Sequence, residues 1–153
     1  MAPALGDRVL AAMVTGFSEV AQISLREPSP ASQGVVPVPA PPYQGAFLPI
    51  DLGLRHALVG IVSTPEGCTQ LARGYMQVSG TIRDIDVADA VGELVNITAG
   101  IIKRELLDME PAIHLGLPTF TRDGLMPPLG ASTFCAAMQV GKAPVKLVVY
   151  LGA

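Results

Sequence analysis

The sequence of 153 residues predicts a single α+β domain with a largely antiparallel sheet flanked by helices, one of them long. The chain is long enough for one domain with a real core and too short to suggest two. Half of its residues are hydrophobic, which favours a compact fold over disorder. The predicted order of elements is a helix, a hairpin, two helices and three strands, which is typical of this class.

The first predicted element is an amphipathic helix over residues 5–24, where apolar residues recur at helical spacing. Residues 28–44 are rich in proline, which denies backbone donors and excludes a helix. This stretch is therefore predicted to be an extended connector within the domain, or an edge segment of the sheet. Residues 46–51 and 56–63 are apolar, β-branched runs separated by four residues that include a glycine, and they predict a hairpin.

Two further helices and three strands complete the predicted fold. Thr64 and Pro65 are typical of an N-cap and a first helical position. The buried side of this second helix is predicted to comprise Leu71, Ala72, Tyr75 and Met76. The third helix is predicted over residues 84–107, because acidic residues at its start and basic residues near its end both suit the helix dipole. The predicted strands that follow are residues 113–121, 133–140 and 145–151. A hairpin in the first half and strands in the second suggest an internal duplication, although no fixed repeat is readable.

Charge and hydropathy exclude several classes of function. The formal net charge is −3 and no long run of Lys or Arg is present, so nucleic acid is not an expected partner. No segment approaches the roughly 20 apolar residues that span a bilayer, and the N-terminus does not read as a signal peptide. We therefore expect no membrane insertion and a cytoplasmic location.

Cys68 and Cys135 lie far apart outside any CxxC pattern, and we interpret them as reduced core residues.

The most informative stretch is DAVGELVNITAG, residues 89–100. At about 100° per residue on a helix, Asp89, Glu93, Asn96 and Gly100 fall within roughly a 60° arc. The residues on the opposite side are Val87, Val91, Leu94, Thr98 and Ile102. The spacing predicts a helix with one buried face and a narrow exposed strip that carries a carboxylate and a carboxamide one turn apart.

This pattern resembles the signature helix of the CheX and CheC family of chemotaxis phosphatases, in which an Asp is followed by Gly-Glu-x-x-Asn and a later Gly. The matching residues here are Asp89, Gly92, Glu93, Asn96 and Gly100. The segments FLPIDLGLRHALVGIVS and HLGLPTFTRDG are also similar to the family, so the resemblance covers about residues 45–124. The proline-rich stretch departs from it. The first helix has Glu19 followed by Gln22, so only one Glu-x-x-Asn is present, as on the CheX side of the family.

The resemblance implies a CheX-like domain over residues 1–153 that hydrolyses the aspartyl phosphate of a phosphorylated CheY-type response regulator. Asn96 is implied to orient the attacking water, a task that suits a neutral carboxamide, and Glu93 to pair with the partner's active-site lysine. Asp89, Gly92 and Gly100 are implied to assist docking. The resemblance further implies a homodimer, for which exposed strand edges are suited. The partner is expected to hold a divalent metal, Mg²⁺, and this chain no cofactor of its own.

Other interpretations of the same residues stay open. Glu93 and Asn96 also fit an ordinary solvated face of a core-packed helix. A non-catalytic response-regulator-binding adaptor, or a flagellar-switch-like interaction module on the same fold, would keep the docking face without needing Asn96. A hydrolase with its own nucleophile is poorly supported. Neither His56 nor His114 has a nucleophile close in sequence, and no serine or cysteine lies in a nucleophile-elbow motif.

Overall fold

The computed structural model describes residues 4–27, 31–35, 43–107, 112–123 and 127–152. Within these residues, three helices pack on one face of a sheet whose strand pairs are all antiparallel. The helices are α1 (Leu5–Ile23), α2 (Pro65–Met76) and α3 (Asp84–Glu105). The strands are β1 (Ala31–Val35), β2 (Gln44–Asp51), β3 (His56–Ser63), β4 (His114–Leu115), β5 (Thr119–Thr121), β6 (Ser132–Val140) and β7 (Ala143–Leu151). The predicted α+β class is confirmed.

Most of the predicted elements are present with bounds close to those expected. The hairpin forms between β2 and β3, with Asp51 opposite His56. The second helix begins as predicted, because the Thr64 hydroxyl accepts a hydrogen bond of 3.0 Å from the Gly67 amide and Pro65 occupies the first turn. The third helix ends slightly early, at Glu105.

The strand predicted over residues 113–121 is wrong as a single element. It is divided into β4 and β5, which both pair with β2, and Leu117 and Pro118 lie between them. Pro118 has no backbone N–H and cannot donate to the ladder. The facing stretch of β2 also contains a proline, Pro49, so both sides of the ladder carry a proline where the pairing is interrupted.

The proline-rich connector contains one strand that the predicted order omitted. Residues 31–35 form β1, which pairs with β6 at one edge of the sheet. The alternative of an edge segment is therefore right for these five residues. Residues 28–30 and 36–42 of the predicted connector lie outside the described residues.

The buried side predicted for α2 is correct for Leu71 and Ala72, partly correct for Tyr75, which packs against the core, and wrong for Met76. Tyr75 is half-buried and Met76 is exposed. The helix ends at Met76, and Gln77 adopts a left-handed conformation (φ 58°) that turns the chain away. The last turn of α2 therefore stands at the margin of the core, beside α3.

The two halves of the chain are related by an approximate twofold. The strand order is β1-β6-β7-β3-β2-β4, with β5 also on β2. The hairpins β2–β3 and β6–β7 meet through β3 and β7, and each hairpin pairs with a strand from the other half. The buried positions of α1 from Val9 to Val20 recur in the same order in α3 from Val91 to Ile102. These correspondences support the internal duplication suggested by the sequence.

The core holds α3 firmly along its length. Leu94, Val95 and Ile102 are fully buried against the sheet and the other helices. Helix α1 crosses it at Gly16, where an added Cβ would lie 3.1 Å from the Ile101 Cγ2 atom. The Thr98 hydroxyl, also buried, donates to the Leu94 carbonyl at 2.8 Å. The exposed side of α3 is therefore presented on a well-supported element.

Cys68 and Cys135 are free and buried, as the sequence indicated. The Cys68 thiol donates to the Gln44 carbonyl at 3.3 Å, and burial raises its pKa to about 11. An exposed thiol of the unfolded chain loses its proton nearer the ordinary value of 9.0. Thiolate formation therefore favours the unfolded state as the pH rises between these two values.

We expect the free energy of unfolding to fall as the pH rises from about 9 to about 11, in urea titrations at a series of alkaline pH values. Cys68→Ala should reduce this loss. It should not abolish it, because burial also raises the pKa values of Cys135 and Tyr150. An unchanged alkaline slope in Cys68→Ala would contradict the assignment to this thiol.

Candidate functional site

Four exposed residues form a strip along α3: Asp89, Glu93, Asn96 and Gly100. Each is exposed, whereas the residues that alternate with them point into the core. The buried residues of this helix include Val91, Leu94, Val95, Thr98 and Ala99. Residues three apart on a helix have Cβ atoms about 5–6 Å apart, so the carboxylate of Glu93 and the carboxamide of Asn96 project side by side.

The strip is acidic, and neither of its two carboxylates has a cationic partner within 4.0 Å in the part of the chain that the structure describes. In the first turn of α3, the Arg83 guanidinium donates to both carboxylate oxygens of Asp86, at 3.0 and 3.1 Å, and lowers the pKa of that carboxyl group. Among the described residues, no Lys, Arg or His nitrogen lies within 4.0 Å of the Asp89 or Glu93 carboxylate. These two carboxylates remain available for a cation on another molecule.

A shallow groove of about 150 Å³ borders the strip on the α2 side. Tyr75 and Met76 of α2 form one wall, and the other wall comprises Asp86, Asp89, Ala90 and Glu93 of α3. The groove combines apolar side chains with a carboxylate rim. This groove could not be predicted from the sequence, because Tyr75 and Met76 have the helical spacing of core residues.

On another side of α3, the loop between β4 and β5 packs over Gly92. A Cβ at Gly92 would lie 3.8 Å from Pro118 side-chain atoms, which is ordinary contact. The neighbouring Leu117 is 83% exposed. The exposure of Leu117 could not be predicted from the sequence.

The structure separates the five residues that the sequence grouped. Asp89, Glu93, Asn96 and Gly100 share the exposed strip, and Gly92 is buried under Pro118. A glycine in a helix interior costs roughly 1 kcal/mol relative to alanine. The neighbours of Gly92 and Gly100 therefore indicate whether packing within the chain or another role accounts for each glycine.

Helix α1 does not carry a second copy of the strip. The shared burial pattern places Ala11 and Val14 where α3 has Glu93 and Asn96. Glu19 instead accepts a hydrogen bond of 2.8 Å from Arg104 and ties the two helices together. The chain therefore presents one Glu-x-x-Asn strip on its two long helices.

The buried serine, the two cysteines and the two histidines of the described residues do not form an alternative site. Ser63 is fully buried and its hydroxyl donates to the Pro144 carbonyl at 2.6 Å, and both cysteines are buried. His56 and His114 lie opposite Asp51 at one end of the sheet, with 3.8 Å between the His56 Nδ1 and an Asp51 oxygen. Across the ranges that the structure describes, no group of three or more His, Cys, Asp or Glu side chains is arranged to hold a metal ion.

A family model described as chemotaxis phosphatase CheX matches residues 53–136, which include all of α3. A chemotaxis protein CheX from Desulfovibrio desulfuricans has the same fold, with a TM-score of 0.76 and 18% identity over 94% of this chain and 98% of that one. A chain of the CheX–CheY–BeF3–Mg²⁺ complex from Borrelia burgdorferi gives a TM-score of 0.80 and 12% identity over 95% of this chain and 98% of its own.

The FliM middle domain from Helicobacter pylori is also similar, with a TM-score of 0.60 and 11% identity over 93% of this chain and 86% of that one. No curated protein sequence matches the chain. None of the helices in the described ranges is long and apolar enough to cross a membrane. At these levels of identity, the solved structures establish the fold.

Proposed function

Because this chain belongs to the CheX family of chemotaxis phosphatases, we propose that it hydrolyses the aspartyl phosphate of a phosphorylated CheY-type response regulator. The observation that carries the proposal is the exposed strip of α3, on which Glu93 and Asn96 stand one turn apart on a helix whose opposite face is buried in the core. The CheY-containing complex among the solved structures supports this class of partner.

Asn96 is proposed to position the attacking water. A water in line with the phosphorus must be held without adding negative charge near the phosphoryl oxygens. The Asn96 carboxamide has both a donor and an acceptor and no charge, so it meets this requirement. Its exposure on a rigid helix allows it to enter a cleft on the partner.

Glu93 is proposed to dock and orient the complex. Its carboxylate is exposed and has no cation within 4.0 Å among the described residues. A lysine next to the partner's phosphoryl group would pair with it as Asn96 enters the cleft. Pairing one helical turn from Asn96 fixes the rotation and the axial position of α3, which is what alignment of the water requires.

A divalent metal, Mg²⁺, is proposed to belong to the partner. In phosphoryl transfer the metal neutralises charge on the phosphoryl oxygens. This chain would then supply only positioning and electrostatic complementarity. The Mg²⁺ in the solved CheX–CheY–BeF3 complex is consistent with this division of labour.

The second candidate is a non-catalytic adaptor or flagellar-switch-like module that binds the regulator. The similarity to the FliM middle domain favours it, because the same fold also occurs in that protein. An adaptor would use the α3 strip and the Tyr75–Met76 groove for docking alone. The two candidates differ in whether phosphate is released after binding.

The experiment is to charge CheY-type regulators with acetyl phosphate and follow their loss of phosphate with and without this chain. We expect phosphate loss to accelerate for a cognate regulator. If a regulator binds and its phosphate is lost at the intrinsic rate, the adaptor is the correct function. If no regulator binds, both candidates are wrong.

Dimerisation and location follow from the same proposal. We propose a homodimer that forms through an exposed edge of the sheet, where β1 lies on one side and β4 and β5 on the other. Sedimentation of the purified chain tests it, and a mass equal to the monomer would contradict it. A CheY-type partner would place the chain in the cytoplasm.

A further inference from the structure

Gly100 lies on the exposed strip, four residues after Asn96, and the fold gives no reason for a glycine there. Apart from the neighbouring turns of its own helix, no atom of the described residues lies within 4 Å of the place that a Cβ added at Gly100 would occupy. Its backbone is helical, and it is absent from the glycines with positive φ, which are Gly53, Gly80, Gly130 and Gly141. An alanine would fit this position and would favour the helix.

Three of the other five glycines in the helices, Gly6, Gly16 and Gly67, contrast with it. A Cβ at Gly6 would overlap the Phe134 ring, and one at Gly67 would overlap the Ser63 hydroxyl. One at Gly16 would press on Ile101, where α1 crosses α3. Packing within the chain therefore explains these three glycines. An added Cβ would make only ordinary contacts at Gly74 and Gly92, at 3.4 and 3.8 Å, and at Gly100 it would meet no described residue.

The absence of a side chain at Gly100 lowers the helix surface beside Asn96. A helix has a backbone radius of about 2.3 Å and a radius of about 5–6 Å with side chains. Gly100 is about 6 Å along the axis from Asn96, at 1.5 Å per residue. When the Asn96 side chain enters a cleft, the rim of that cleft meets the helix within about one turn, which is where the surface is lowest.

We propose that Gly100 is a clearance position, against which the main chain at the rim of the response regulator's phosphoryl-binding cleft lies directly. This contact sets how deeply Asn96 enters the cleft. The inference rests on the proposed function, since it names the part of that partner that approaches α3. It assigns Gly100 a positioning role, because the residue acts through the placement of Asn96.

The test compares Gly100→Ala and Gly100→Leu with the wild-type chain. We expect Gly100→Ala to unfold at a midpoint about 2–4 °C higher, because alanine favours the helix and no described residue obstructs its methyl group. We expect its kcat/KM on the phosphorylated regulator to fall by about tenfold or more, because an added methyl group holds Asn96 away from the phosphoryl group. Gly100→Leu should reduce kcat/KM further.

Gly74→Ala is the matched control. Gly74 lies in α2, and an added Cβ there would be 3.4 Å from the Leu25 Cδ2 atom, in ordinary contact. We expect this variant to keep the wild-type kcat/KM. An equal loss of kcat/KM in Gly74→Ala would overturn the clearance role, because the loss would then follow from helix stabilisation in general.

The remaining outcomes separate the clearance role from the proposed function. If the wild-type chain is active and Gly100→Ala keeps its kcat/KM within twofold, the clearance role is wrong and the phosphatase stands. If Gly100→Ala lowers the unfolding midpoint, the fold requires a glycine at this position, and the clearance role is also wrong. If the wild-type chain binds regulators without dephosphorylating them, the phosphatase is wrong, and weaker binding of Gly100→Ala would still support the clearance. If the wild-type chain binds none, both are wrong.

Discussion

Asn96→Ala is expected to lower the rate of regulator dephosphorylation by about 100-fold or more, because loss of the group that aligns a nucleophile costs on that order. Binding to a beryllofluoride-charged regulator should change little. The residue is exposed, so the free energy of unfolding should stay within about 0.5 kcal/mol of the wild-type value. Phosphate release and equilibrium binding, measured on the same preparations, would show this separation.

Gln22→Ala is the matched control for Asn96→Ala. Gln22 is an exposed carboxamide on α1, away from the strip, and its truncation should leave the rate unchanged. If Asn96→Ala dephosphorylates the regulator as fast as the wild-type chain does, Asn96 does not orient the water. If it also loses binding in proportion to the rate, Asn96 serves docking instead of catalysis.

Glu93→Lys is expected to weaken binding of the phosphorylated regulator by about 100-fold, because it replaces the proposed ion pair with a repulsion between two cations. Glu93→Gln should weaken binding less, since it removes the attraction without adding repulsion. The wild-type affinity should fall with added salt, and that dependence should be shallower in Glu93→Gln. Calorimetric titrations at several ionic strengths measure both effects.

Glu105→Lys separates the local effect from the overall change in charge. Glu105 is an exposed acid near the end of the same helix, where it contacts Arg104, and it lies off the strip. Its reversal changes the net charge by the same amount as Glu93→Lys. Equal weakening by the two variants would show that the regulator senses total charge and would contradict the docking role of Glu93.

The exposed strip on α3 was predictable because it depends only on the spacing of residues within one helix. Buried and exposed residues alternate with the helical period over several turns, so the sequence alone orients Glu93 and Asn96 outward. Their catalytic use was suggested only by the family resemblance. Periodicity by itself describes any helix that has a solvated face.

The features that could not be predicted from the sequence depend on contacts between distant segments. An apolar residue in the last turn of a helix suits a core or a surface groove equally, so the exposure of Met76 depends on where α2 ends beside α3. The pairing of residues 31–35 with β6 joins segments that are far apart in the chain. The sequence alone shows that Gly100 lowers helix stability relative to alanine. Only the structure shows that no described residue lies where a side chain at Gly100 would be, so packing does not require a glycine there.

The approximate twofold has a consequence for stoichiometry. The two long helices are equivalent in burial, yet only α3 carries the carboxylate and the carboxamide, and α1 has Ala11 and Val14 at those positions. The approximate twofold therefore relates the backbones of the two halves, whereas the exposed side chains of α1 and α3 differ. Among the described residues the proposed docking strip occurs once, so we expect saturation at one regulator per chain, and the proposed dimer would engage two regulators at sites that belong to different subunits.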